Sequence, residues 1–142
     1  MTNVIDAETF KTIRNFEGHT HHVLGIAWHN DGVHLATTSG DGTAKVWDME
    51  AGETTRTLTV GKELTALIFV GTTNRFVSTV IDHTLRMHDI ESKDQIRQFV
   101  AAQNALYAIS ISPDARFAIA VGQEGIPRVW QIEDGKLVAE IK

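Results

Sequence analysis

The chain contains no cysteine, which excludes a disulfide framework and any thiolate metal site. Proline occurs only at Pro113 and Pro127, a turn and a strand start, where it is tolerated. The 13 Lys and Arg are scattered singly, and the formal net charge is −5. Phosphate contacts need clustered cations, so a nucleic-acid partner is not expected. No stretch approaches the ~20 apolar residues of a membrane span. Met1 to Phe10 holds two acids and no apolar run, so it does not read as a secretory leader. These absences favour a soluble, cytoplasmic protein without membrane association. With 142 residues, 42% of them hydrophobic, the chain is long enough to bury a core of its own.

What is present is a repeat. Leu35 to Asp48 superimposes on Phe76 to Asp89 without a gap at an offset of 41. Leu35 meets Phe76, Thr37 meets Ser78, Asp41 meets Asp82, Lys45 meets Arg86 and Asp48 meets Asp89. A third copy runs from Phe117 to Gln131, with one inserted residue placed in the turn around Gly125; Trp130 then stands where Trp47 and His88 stand. Within a repeat the strands are short. Val23–Trp28 is apolar and ends at His29-Asn30-Asp31-Gly32. His34–Ser39 stops at Gly40-Asp41-Gly42, and Thr43–Asp48 alternates. Thr55–Val60 follows. Short strands with turn signals every 8–12 residues imply an all-β sandwich, barrel or propeller. The period lies within the ~40–45 residues of a four-stranded propeller blade.

The first repeat resembles the WD-repeat family. It carries Gly18-His19, Asn30-Asp31-Gly32, Ser39-Gly40-Asp41-Gly42-Thr43 and Trp47-Asp48. The resemblance implies an all-β fold of four-stranded antiparallel blades. It also implies a structural tetrad of His19, Thr37, Asp41 and Trp47, with Ser39 on the same face able to share the role. In such a tetrad Asp41 accepts from His19, His19 accepts from the Thr37 hydroxyl, and that hydroxyl accepts from the Trp47 indole. No buried polar group is then left without a partner. Partial tetrads are expected in the other repeats: Ser78, Asp82 and His88 in the second, and Trp130 in the third. The second repeat has Gly61-Lys62 near the Gly-His position, and Ala101 to Ala105 lacks that pair. Those blades are expected to rely on Leu67, Phe69, Phe76, Val80, Ile109, Ile111, Phe117 and Ile119.

The expected organisation is one segment over 1–142, with blade 1 at 17–60, blade 2 at 61–100 and blade 3 at 101–142. An extra outer strand lies within 3–16. Asn3 to Glu8 reads as the tail of a third strand plus a turn, so the chain begins mid-blade. Known propellers typically close with about 4–8 blades. Three blades leave two apolar faces open, which suggests copies joined head to tail until a ring closes. A trimer is favoured over a dimer on the ground that six blades compress the hub whereas nine widen it.

Seven histidines raise the question of a metal. His19 is taken by the tetrad, however. His21 and His22, if extended, point to opposite sides, and nothing completes a ligand set. No cofactor or metal is expected. Thr37, His19 and Asp41 superficially have the groups of a catalytic triad, but without a cleft or oxyanion hole. The expected function is a non-catalytic protein-interaction scaffold, or a self-assembling propeller fragment. Its partners would be copies of itself and other proteins or peptides. Candidate contacts are His21, His22, Lys62, Glu63, Gln103 and Asn104 in the loops before the first strands, and His83 and Glu124 in the tight turns. The alternatives are an excised piece of a larger propeller with a regulatory binding role, or small-molecule or metal binding in a central channel.

Overall fold

The computed structural model describes residues 2–100 and 102–142. Met1 and Ala101, which open the expected segment and the expected third blade, lie outside the described residues. Among the described residues, alternating side chains punctuated by turn residues produce fourteen strands. β1 (Thr2–Ile5) and β2 (Thr12–Phe16) form an antiparallel ribbon. β3 (Val23–Trp28), β4 (His34–Ser39), β5 (Thr43–Asp48) and β6 (Glu53–Thr59) form blade 1. β7 (Leu64–Phe69), β8 (Arg75–Val80), β9 (Leu85–Asp89) and β10 (Gln95–Phe99) form blade 2. β11 (Leu106–Ile111), β12 (Phe117–Gly122), β13 (Arg128–Gln131) and β14 (Leu137–Glu140) form blade 3. Each blade is a four-stranded antiparallel meander.

The turn between third and fourth strands recurs with the same chemistry. The carboxylates of Asp6, Asp48 and Asp89 each accept two backbone amides just beyond them. Each turn then closes through one left-handed residue, at Phe10, Gly52, Lys93 and Gly135. At Gly52 and Gly135 the absence of a side chain also matters. An added Cβ would lie 2.7 Å from the Arg14 guanidinium and 2.9 Å from the Arg97 side chain, respectively. Arg14 of β2 and Arg97 of β10 therefore lie over the third-to-fourth-strand turns of blades 1 and 3.

Pairing corrects the alignment of the third repeat. Trp28 faces Leu35, Phe69 faces Phe76, and Ile111 faces Ala118. The offset from blade 2 is already 42 at β11, so the inserted residue precedes that strand rather than lying near Gly125. Ala118, not Phe117, lies opposite Trp130, as Leu35 lies opposite Trp47. The small side chain fits beside the large indole in a dense core. Phe117 and Ile119, expected in the core, are only half-buried.

Two apolar clusters fill the spaces between blades. Ala36, Ala44, Val46 and Leu58 of blade 1 meet Leu67, Phe69, Phe76 and Val80 of blade 2. Val77, Leu85, Met87 and Phe99 of blade 2 meet Leu106, Ala118, Ala120 and Trp130 of blade 3. The ribbon packs on the other side of blade 1, where Phe16 and Val4 cover Leu35 and Trp47.

Candidate functional site: the blade tetrads and the open faces

The loop before β3 brings His19 over the tight turn between β4 and β5. Its Nδ1 lies 2.8 Å from Asp41 Oδ2, and its Nε2 lies 2.7 Å from Thr37 Oγ1. The Trp47 indole N–H donates to the same hydroxyl at 2.8 Å. An ionised Asp41 accepts from the Nδ1–H of His19, so Nε2 accepts from Thr37, and one tautomer satisfies the chain. Burial works against ionisation of Asp41. Hydrogen bonds from the Thr43 hydroxyl, His19 and the Thr20 and Thr43 amides outweigh it and hold the carboxyl well below the usual range. Ser39 stands outside this relay; its hydroxyl accepts from the Asp41 amide at 3.1 Å. Thr37 is fully buried and its hydroxyl is engaged on both sides, so it cannot serve as a nucleophile.

Blade 2 meets the same positions with charge. Asp82 accepts from the Arg86 guanidinium at 2.5 Å and from the Thr84 hydroxyl at 2.6 Å, and Lys62 Nζ lies 3.5 Å away. Burial opposes the ionised form of Asp82. The Thr84 and Arg86 hydrogen bonds prevail, and its pKa is lowered. Ser78 reaches only the Arg86 carbonyl, at 3.4 Å. His88 stacks on Phe76 with centroids 5.6 Å apart, and burial, helped by Arg86, lowers its pKa. Blade 3 repeats the ionic solution. Arg128, 2% exposed, bonds to Glu124 and, at 2.8 Å, to Glu140. The Trp130 indole donates to the Val100 carbonyl at 2.8 Å. The sequence signal for these ion pairs was the basic residue four positions after each acid (Asp82 and Arg86, Glu124 and Arg128), which motif matching passes over.

The expected partner contacts gather at one end of the blades. There Gly40, Ile81 and Gln123 amides bond to the His22, Glu63 and Ala105 carbonyls. His21, His22, His83 and Gln103 are exposed. His21 and His22 do not point apart as an extended backbone would make them. Their rings meet edge to face at 4.8 Å, because this loop bends before β3 begins. Glu124 is held by buried Arg128, whereas Lys62 is exposed and lies 3.5 Å from Asp82. Among the described residues no group of three or more His, Asp or Glu is placed to hold a metal ion.

Two apolar faces remain open. On blade 1, Leu24, Ile26 and Trp28 are 44%, 54% and 50% exposed. On blade 3, Ile119, Val121, Pro127 and Val129 are half-buried beside open clefts, one of about 230 Å³.

The family model for the WD domain, G-beta repeat, matches residues 10–48. These residues hold the complete tetrad. The chain belongs to the WD-repeat family. It is 29% identical to the target of rapamycin complex subunit wat1 of Schizosaccharomyces pombe, over 90% of this chain and 41% of that protein. It is 34% identical to protein tipD of Dictyostelium discoideum, over 75% of this chain and 19% of the relative. Against the small ribosomal subunit protein RACK1 of Schizosaccharomyces pombe the identity is 25%, over 89% and 43%. The chain thus spans less than half the length of these WD-repeat relatives. The complete WD signature is confined to blade 1.

Proposed function

We propose that this WD-repeat segment is a non-catalytic protein-interaction scaffold whose open blade faces are assembly surfaces. The observation that supports this is the pair of apolar faces. Each continues a packing pattern that the blade junctions already use, and large exposed apolar patches mark interaction sites. WD-repeat relatives named as a complex subunit and a ribosomal subunit protein accord with a role in assemblies.

Self-association is the simplest way to cover both faces. The expectation of three copies counted three blades per chain. The ribbon adds the place of a fourth blade, so two copies take eight places and three take twelve. Propellers typically close with about 4–8 blades, so two copies are the number that suits a ring. Light scattering on a sizing column across a concentration range tests this. A discrete dimer supports self-association, whereas a monomer at every concentration overturns it. The scaffold role itself stands if exposed His21, His22 or Gln103 variants lose a co-purifying protein.

A further inference from the structure

Three outer strands carry an arginine at the same place. Arg14 of β2, Arg56 of β6 and Arg97 of β10 pair with Val4, Val46 and Met87, and the register shifts beside each pair. Arg14 crosses the turn of blade 1 at Gly52, and its Nε and Nη2 donate to the Met49 and Glu50 carbonyls at 3.2 and 3.1 Å. Arg97 crosses the turn of blade 3 at Gly135. The equivalent path for Arg56 runs over residue 93 of blade 2. Arg56 does not take it. Its side chain is exposed, and Nη1 donates to the adjoining Thr55 carbonyl at 2.9 Å.

One atom accounts for the difference. Lys93 keeps the shape of the turn: its φ is 63°, against 75° and 74° at Gly52 and Gly135. Its amide donates to the Asp89 carbonyl at 2.9 Å, as the Gly52 amide does to Asp48 at 2.8 Å. But Lys93 has a Cβ. At Gly52 a Cβ would stand 2.7 Å from Arg14 Nη1 and 3.0 Å from its Cζ, inside the contact distance of about 3.5 Å. A guanidinium reaching across from position 56 is therefore barred. What it leaves is a cleft of about 330 Å³ between blades 1 and 2. Buried Val46 and Ile90 line it, together with Asn74, Glu91 and Asp31. The shared turn geometry puts the Ile90 and Glu91 carbonyls where Met49 and Glu50 receive Arg14. Among the described residues no donor meets either one. Asp31 is committed to His34 Nδ1 at 2.7 Å. Glu91 accepts from Asn74 at 3.0 Å through Oε1 alone, so its second oxygen is open to a ligand.

We propose that this cleft takes the guanidinium of an arginine on a partner protein segment. The segment enters from solvent and does not follow the path of Arg56; Lys93 is no part of the cleft wall. The planar fork donates to the two adjacent carbonyls, and the Glu91 carboxylate makes the contact charge-assisted. The methylenes of the incoming side chain lie along Val46 and Ile90. A lysine presents a point charge without the fork and fits less well. An acidic segment meets Asp31 and Glu91 and is repelled. The proposal rests on the scaffold reading, names a partner chemistry for it, and uses neither open blade face.

The probe is the blocked tripeptide acetyl-Gly-Arg-Gly-amide, with lysine and citrulline counterparts. Each is titrated into the full chain while backbone amides are followed by NMR. The expected result is saturable shifts at Asn74, Ile90 and Glu91, with the arginine peptide binding about tenfold tighter than its uncharged citrulline counterpart. Glu91→Gln, at an exposed position, should weaken it roughly fivefold. Lys93→Gly removes the Cβ from a left-handed residue, a change the backbone favours, and lets Arg56 close the cleft. Binding should then fall about tenfold, because the open state becomes the minor one. It should return when Arg56→Ala is added to Lys93→Gly. Lys93→Ala keeps the Cβ and should bind as the parent does. Citrulline or lysine peptides that bind as tightly as arginine overturn the proposal. So do shifts that miss Ile90 and Glu91, and undiminished binding by Lys93→Gly. The two readings fail separately. A chain that is monomeric by light scattering yet binds the arginine peptide loses self-association and keeps this site; a dimer indifferent to the peptide does the reverse.

Discussion

Replacing Thr37 by valine keeps the shape of the side chain and deletes one oxygen. That oxygen serves two neighbours, donating to His19 Nε2 and accepting from the Trp47 indole. The surroundings are dry: the His19 side chain is 2% exposed and Thr37 is fully buried. Each orphaned buried polar group costs about 1–3 kcal/mol, and some relaxation is expected, so the loss should be about 2–4 kcal/mol. For a chain of this size a kilocalorie corresponds to roughly 3–4 °C. Thr37→Val should therefore melt roughly 6–16 °C below the parent by circular dichroism, whereas Thr37→Ser keeps the oxygen and should fall much less. Adding Trp47→Phe removes the orphaned donor. The double variant should then lose less than the two single variants summed. Strict additivity, or a Thr37→Val melt within about 1 °C of the parent, would refute the claim that the relay stabilises blade 1.

Three further outcomes follow from the same geometry. The Asp41 pKa is depressed, so its contribution is present above the unfolded value of about 4 and is lost as pH falls through the folded value. Urea midpoints should show that Asp41→Asn is less stable at pH 7 and loses less between pH 7 and pH 3 than the parent. Arg128→Leu strands Glu124, and as the loss of one partner of a largely buried ion pair it should cost about 3 kcal/mol in urea titrations, whereas Glu140 is exposed and is left solvated. Lys62→Ala removes a 55%-exposed side chain from Asp82 and should cost under about 1 kcal/mol in the same assay. Trp28→Lys should leave the monomer's melt within roughly 2 °C, consistent with a change of about 0.5 kcal/mol at an exposed position. It should also shift light scattering toward the monomer.

The blade period and the first tetrad were legible because each depends on local residues at fixed spacing. Gly18-His19, Asp41 and Trp47 announce themselves in order along the chain. The third register was not legible, because Phe117 is the better apolar match to Phe76 while the packing selects Ala118. That choice depends on the size of Trp130 across the sheet, which a linear alignment does not weigh. The ionic substitutes were missed for a related reason. Asp82 and Glu124 look like degraded tetrads until Arg86 and Arg128 are seen to fold back on them. Asn3 to Glu8 read as the tail of a third strand. Its agreement with β5, down to the bulge, required the pairing itself.

Among the described residues the blades pack in sequence order, blade 1 on blade 2 and blade 2 on blade 3. An unclosed propeller is in this respect a linear stack, and linear stacks lose structure from their ends. β14, whose four residues are all exposed, is held by one ladder and by Arg128. It is the natural point of fraying. Blade 2, clasped on both sides, should be the last unit to open and the slowest to exchange its amides. Closing the circle would remove both ends at once, turning a protein that unravels by degrees into one that melts as a unit.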